Sequence, residues 1–268
     1  MTDGLSDGPA QPQPCALRRE HVLPTGQMHI VLRLGGEPLR LFNGGNDHSG
    51  RSVGDALVGG ARDTFYVRDV SGPLCSVGAQ LRPGAAQWLF GVPASALTGH
   101  HTSLADLWGA SADDLRDTLL RLPPSQRLSA FEAALCARLP RGPIDNTVVD
   151  HALARFGRGA GIRQVVEECG RSHRAFIDDF RRVVGLSPKV YCRVLRFQRA
   201  LGLLETRTMA THDVALESGY SDQAHFSRDF REFAGTTPGA YLGAAPRFRN
   251  HLPVAQRRST AGQFRSRP

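Results

Sequence analysis

Gly219-Tyr220-Ser221-Asp222-Gln223-Ala224-His225-Phe226-Ser227-Arg228-Asp229-Phe230 is the stretch on which the reading of this 268-residue chain turns. Gly219 ends an apolar segment that carries Val214 and Ala215, at a point where a left-handed backbone is cheap only for glycine. Ser221 is placed to cap the helix that follows. Phe226, Phe230 and Phe233 recur at i, i+4 and i+7, the spacing of a helix face turned inward. Ala224, Arg228 and Arg231 fall on the opposite face, with Ser221, Gln223 and Ser227 beside them. An outward helix face offering amide and guanidinium donors suits the base edges of a DNA major groove.

The same pattern stands earlier in the chain. Val165, Glu168 and Gly170 match Val214, Glu217 and Gly219 at an offset of 49. Past the turn the offset becomes 50, and Phe176, Asp179, Phe180, Arg181, Gly185, Pro188 and Tyr191 match Phe226, Asp229, Phe230, Arg231, Gly235, Pro238 and Tyr241. Seven identities fall in those sixteen positions, where chance gives about one, so the segment is a genuine internal repeat. Each copy reads as helix, glycine turn, helix. In the first copy Phe176, Phe180 and Val183 face inward, and Arg174, Asp178 and Arg181 face outward. Two helical hairpins packed for purely structural reasons are the plainer alternative.

Between the copies, Pro188 to Leu204 reads as one long helix, with Ser187 as its cap and Pro188 at a first helical position. Val190, Val194, Phe197, Leu201 and Leu204 form its apolar seam. Lys189, Arg193 and Arg196 form a separate basic stripe, which reads either as a phosphate-facing surface or as an ordinary solvated helix face. Such a helix spans about 25 Å at roughly 1.5 Å per residue. That length would hold two recognition helices close to one DNA turn, about 34 Å, apart.

Charge is divided in the same way. Residues 1–140 hold 12 Arg against 13 Asp/Glu, a balance of −1, and residues 141–268 hold 21 Lys/Arg against 12 Asp/Glu, a balance of +9. A basic half joined to a neutral half points to a polyanion bound by the basic half alone. No apolar run approaches the ~18 residues of a membrane span, and Met1 to Pro14 lacks a basic-then-apolar leader pattern. The cytoplasm is therefore the expected location. Cys15, Cys75, Cys136, Cys169 and Cys192 are odd in number and widely spaced, which suits reduced thiols rather than a disulfide framework or a zinc motif.

Upstream of the repeat, Met28, Ile30, Leu32 and Leu34 alternate with His29, Val31 and Arg33 in strand fashion. Thr64–Val67 and Leu74–Val77 are further strand candidates, and Asn43 to Gly50 is a polar loop. The expectation is a small antiparallel β region forming a partial barrel. After Pro83-Gly84 come helices over Ala85–Phe90, Ser103–Trp108, Ser111–Leu122 and Ser125–Leu139, the last three opening at a serine. The fold class is α+β. The expected divisions are a disordered tail over 1–14, a β-plus-helix domain over 15–140, a linker at Arg141-Gly142-Pro143, an all-helical domain over 145–242, and a basic disordered tail over 243–268. The two helix-turn-helix units fall at about 162–184 and 211–234.

From about Val148 to Leu242 the chain resembles the AraC/XylS family of bacterial transcription regulators. The resemblance rests on Gly219 to Phe230, on Gly235-Thr236-Thr237-Pro238 with Tyr241, and on Leu195-Arg196-Phe197 in the linking helix. Leu23-Pro24-Thr25-Gly26, Arg82-Pro83-Gly84, Gly91-Val92-Pro93 and Leu107-Trp108-Gly109 are similar to a sensor-like domain of some members. The resemblance implies that the second helix of each unit enters a major groove. By position it makes Gln223, Ala224 and Arg228 the base readers of the second unit, and Arg174, Ile177 and Asp178 those of the first. Asp178 departs from the basic or polar donor usual there. A carboxylate repels phosphates, though it can accept from cytosine. Leu242 stands where the family often has Arg.

Other constellations are weaker. His48, His100 and His101 lack acidic partners at ligand spacing and read as surface histidines, so no metal site and no cofactor are expected. No Gly-x-Ser-x-Gly elbow or nucleophile–base pair stands out, and catalysis finds no support. The expected function is a sequence-specific transcription regulator whose N-terminal half senses a small molecule or mediates dimerisation. The expected partners are double-stranded DNA, a small-molecule effector, RNA polymerase and a second copy of the chain, without a membrane. The competing readings are a DNA alkylation-repair enzyme carrying an AraC-like module, for which residues 1–140 hold too few cysteines, and a non-specific architectural DNA binder.

Overall fold

Strand-like alternation between residues 19 and 81 becomes seven strands: β1 (Arg19–Val22), β2 (Met28–Gly35), β3 (Arg40–Phe42), β4 (Arg51–Ser52), β5 (Ala56–Gly59), β6 (Tyr66–Asp69) and β7 (Cys75–Leu81). The computed structural model describes residues 18–43, 47, 49–72, 75–140 and 147–254. The tail expected over 1–14, the linker at 141–143 and His48 lie outside them.

Helices α1 (Ala85–Phe90) and α2 (Ala94–Leu97) lead to β8 (His101–Ser103), and α3 (Leu104–Trp108), α4 (Ser111–Arg121) and α5 (Pro124–Cys136) complete the first half. The second half is helical: α6 (Thr147–Gly157), α7 (Ile162–Glu168), α8 (His173–Val184), α9 (Pro188–Thr206), α10 (Thr211–Glu217), α11 (Gln223–Ala234) and α12 (Pro238–Ala244), followed by β9 (His251–Pro253).

The expected antiparallel β region is present, divided between two sheets. One runs β4-β3-β6-β1-β9, the other β7-β2-β5-β8, and every pairing is antiparallel. Met28, Ile30 and Leu32 alternate inward as expected. A register shift against β7 between Arg33 and Gly35 then breaks the alternation, and both Arg33 and Leu34 are buried.

Several local expectations are corrected. Ser103 does cap α3, its side chain accepting from the Ala105 N–H. Ser111 does not cap α4: Ala110 holds that position, and the Ser111 hydroxyl donates back to the Trp108 carbonyl at 2.7 Å. Pro123 precedes α5, with Pro124 at its first turn. The tail expected from residue 243 instead contains the end of α12 and strand β9: Leu252 is buried and β9 pairs with β1, Glu20 opposite Pro253 and Val22 opposite His251. Residues 255–268 lie outside the description. His101 is 8% exposed, not a surface histidine.

Packing crosses from one half to the other. Leu186, Val190 and Tyr191 pack with the core of the β half. Leu23 and Leu252 join the core of the second helical repeat, beside Phe197, Phe226 and Phe230. The first repeat has its own core around Phe156, Phe176 and Phe180. Hydrogen bonds follow the same routes. The Thr98 hydroxyl lies 2.7 Å from the Gly185 carbonyl, the Gly84 N–H donates to Val183, and His21 Nδ1 donates to the Ala234 carbonyl at 2.9 Å. The β half thus holds both α8 and α11 at their C-terminal ends.

Candidate nucleic-acid interface

The two turns behave as their glycines require. Gly170 has φ +60° and Gly219 φ +89°, and each N–H donates back to the helix before it, to Glu167 and Leu216. In the first unit Ser172 caps α8 by accepting from the Ala175 N–H. In the second the cap is Asp222, which accepts from the His225 N–H at 2.7 Å. Ser221 is therefore not the cap; it bonds Asp222 and His225 instead. The offset change from 49 to 50 falls before the cap, so Ser172 corresponds to Asp222.

Inward positions are filled as expected. Phe176, Phe180 and Val183 are buried in α8, and Phe226, Phe230 and Phe233 in α11. Edge-to-face rings, such as Phe226 on Phe230 at 5.5 Å, fix the second helix. The outward faces then follow from the helical period. Arg174, Asp178 and Arg181 are exposed on α8, with Ile177 half-buried. Ser221, Gln223, Ala224, Arg228 and Arg231 are exposed on or beside α11, with Ser227 half-buried. Asp179 is drawn aside by Arg182 at 3.3 Å, leaving Asp178 as the carboxylate on the outward face.

The basic stripe on α9 is split. Lys189 is exposed. Arg193 is engaged: its NH2 donates to Glu232 at 2.6 Å and Asp229 at 2.9 Å, and its guanidinium lies 5.0 Å from the centre of the Phe233 ring. Arg196 lies over the Tyr220 ring and 3.9 Å from the other Asp229 oxygen. Asp229 is itself only 5% exposed. These two arginines therefore dock α9 to α11. A cleft of about 670 Å³ separates the two units along α9, walled by Lys189, Arg196, Arg199, Gly219 and His225. Arg199 is exposed there and was missed by sequence reasoning, although it lies three residues beyond Arg196 on the same helix.

The arrangement offers outward guanidinium and amide donors on two glycine-turn helices, joined by a 19-residue helix about 28 Å long at roughly 1.5 Å per residue. Among the described residues, no three His, Cys, Asp or Glu side chains cluster as metal ligands. No described helix is long and apolar enough to cross a membrane. Fold and geometry define a tandem helix-turn-helix protein.

Comparison with known proteins narrows this. Residues 165–244 match a helix-turn-helix domain family, and residues 10–103 match a domain of unknown function (DUF6597). An uncharacterised HTH-type transcriptional regulator of Haemophilus influenzae is 32% identical over 80 residues, 30% of this chain and 27% of that protein. The HTH-type transcriptional activator RhaR of Klebsiella pneumoniae is 31% identical over 88 residues, 33% of this chain and 31% of its own. The chain thus spans less than a third of the length of either relative. ToxT from Vibrio cholerae aligns over 85% of this chain and 96% of its own, at 10% identity and a TM-score of 0.46. Residues 165–244 thus form a helix-turn-helix module similar to that of the AraC/XylS family of bacterial transcription regulators.

Proposed function

We propose that this chain is a sequence-specific transcription regulator, with α8 and α11 lying in successive major grooves of double-stranded DNA. Gln223, Ala224 and Arg228 read bases from α11, and Arg174, Ile177 and Asp178 form the less usual reading face of α8. Ser221, Ser227, Arg181, Arg231, Lys189 and Arg199 meet phosphates. Arg193 and Arg196 act through α11 rather than on DNA. The β half senses a small molecule or a second copy of the chain, RNA polymerase is the downstream partner, and the protein works in the cytoplasm without catalysing a reaction.

The observation that carries this reading is the repeat itself: two glycine-turn units whose second helices both leave their donor-bearing faces exposed. A mobility-shift assay on the DNA upstream of the protein's own gene tests it. Preference over random duplex at physiological salt is expected. Equal affinity for all duplexes would replace it with architectural binding.

A further inference from the structure

The connection between β5 and β6, Gly60 to Phe65, is six residues long and touches both recognition helices. Near its start the buried Ala61 lies against Gly185, the residue that ends α8. At its end the half-buried Phe65 lies against Gly235, the residue that ends α11. Gly185 and Gly235 hold the same place in the repeat, at an offset of 50. Both approaches are too close for a side chain. A Cβ on Gly185 would stand 2.8 Å from Thr98 Oγ1 and 3.4 Å from the Ala61 Cβ, and one on Gly235 would stand 2.5 Å from the Phe65 ring. The backbone of each recognition helix therefore rests directly on the β half.

The two contact points are held in a fixed relation. The Gly60 N–H donates to the His100 carbonyl and the Gly99 N–H to the Ala61 carbonyl, both at 2.9 Å, and the Thr98 hydroxyl donates to Gly185. Phe65 stacks on His21 with ring centres 4.2 Å apart, and His21 bonds the Ala234 carbonyl. Ala61 and Phe65 are four residues apart, so their Cα atoms lie within about 14 Å of each other. The two helix-turn-helix units are far less directly joined. Among the described residues their buried cores share no member, and a cleft of about 670 Å³ lies between them. Helix α9 links them, lending Cys192 and Leu195 to the first core and Phe197 and Leu201 to the second. Two bodies joined through one helix can still slide and rock by small shifts of the packed elements. A second point of support removes that freedom.

We propose that the β half is a second strut between the two units, and that Ala61, Thr98 and Phe65 are positioning residues that set the spacing of the two DNA half-sites. The proposal rests on reading α8 and α11 as the two base-reading helices. Adding one base pair between half-sites moves one of them by about 3.4 Å along the duplex and turns it by about 35° around the axis. The contacts at the helix ends do not stretch that far. A Thr98–Gly185 bond of 2.7 Å is lost long before its partners separate by another 3.4 Å, and Phe65 cannot follow Gly235 without leaving His21. With both struts in place the protein holds to one spacing. With α9 alone it accepts several. The residues that choose the spacing thus lie on the half of the chain that touches no base.

The test uses the full chain. Selection from random duplex first yields the preferred site. Mobility shifts then compare that site with versions whose half-sites are moved together or apart by one and two base pairs. The unaltered protein should favour its own spacing over a one-base-pair change by at least tenfold. Phe65→Ala should reduce that ratio at least threefold. Phe65→Leu and Thr98→Val, which keep most of the side-chain volume, should reduce it at least twofold and serve if Phe65→Ala does not fold, as judged by thermal melting. A merely structural contact would weaken binding at every spacing alike. That result, an unchanged ratio in folded Phe65→Leu and Thr98→Val proteins, or an unaltered protein that binds all five spacings equally would overturn the strut. A selection that yields no preferred site overturns the base-reading helices first and the strut with them, so the two failures are told apart.

Discussion

Arg193 separates two kinds of basic residue on α9, and replacing it with methionine is a decisive perturbation. The side chain is 24% exposed and its partner Asp229 8% exposed. Breaking a fully buried ion pair by removing one partner costs about 3–5 kcal/mol, because the other charge is left buried. Here Arg196 stays 3.9 Å from Asp229 and Arg193 is partly solvated, so the expected loss is about 2 kcal/mol. For a chain of this size that lowers Tm by about 4–8 °C. Urea unfolding without DNA measures the stability, and DNA affinity at several salt concentrations measures phosphate contacts. Each phosphate contact contributes about 0.9 to the log–log salt slope. Arg193→Met should lose stability and leave that slope unchanged. Adding Asp229→Asn should restore part of the stability, since the stranded charge is gone. An unchanged Tm with a slope reduced by about 0.9 would refute the docking role and return Arg193 to the DNA surface.

Three further outcomes are expected. Arg228→Ala should weaken binding to the preferred site by about 1–3 kcal/mol and relax selectivity at one base pair, whereas Lys189→Ala should weaken all duplexes alike, both read by mobility shift on site variants. Gly170→Ala should cost about 1–2 kcal/mol from its positive φ alone, since open space surrounds it, while Gly235→Ala should cost more, because a Cβ there would sit 2.5 Å from the Phe65 ring; urea midpoints compare them. Stability should fall in acid. Burial keeps His29 and His101 neutral in the fold, so as pH drops below about 6.5 the unfolded chain takes up their protons first. The loss begins near 6.5 and continues through about 4 at up to about 1.4 kcal/mol per pH unit for each imidazole, and His101→Gln should flatten it.

What could be read from sequence was whatever repeats locally. The phenylalanine spacing in α8 and α11, the glycine turns and the proline-led start of α9 all lie within one or two helical turns of the residues that explain them. What escaped depends on partners far along the chain. Arg193 looked like one step of a basic stripe because its acids, Asp229 and Glu232, lie 36 and 39 residues later. His101 looked like a surface residue because Arg62, which bonds it, is 39 residues earlier. Strand β9 has three residues, too few for alternation to register. Ser221 was misassigned as a cap because the turn shift could be placed before or after it.

Strand β1 lies between β6 and β9, and β9 begins only at residue 251. The sheet's seam therefore joins residues more than 220 positions apart. At about 5–20 residues per second, synthesis from β1 to β9 takes on the order of 10–50 s. Throughout that interval one edge of β1 presents unsatisfied backbone groups, which template pairing with other strands. A product ending before His251 keeps that edge open. Strand β9 thus acts as a completion check: the sheet closes only on a chain whose second helix-turn-helix has already been made.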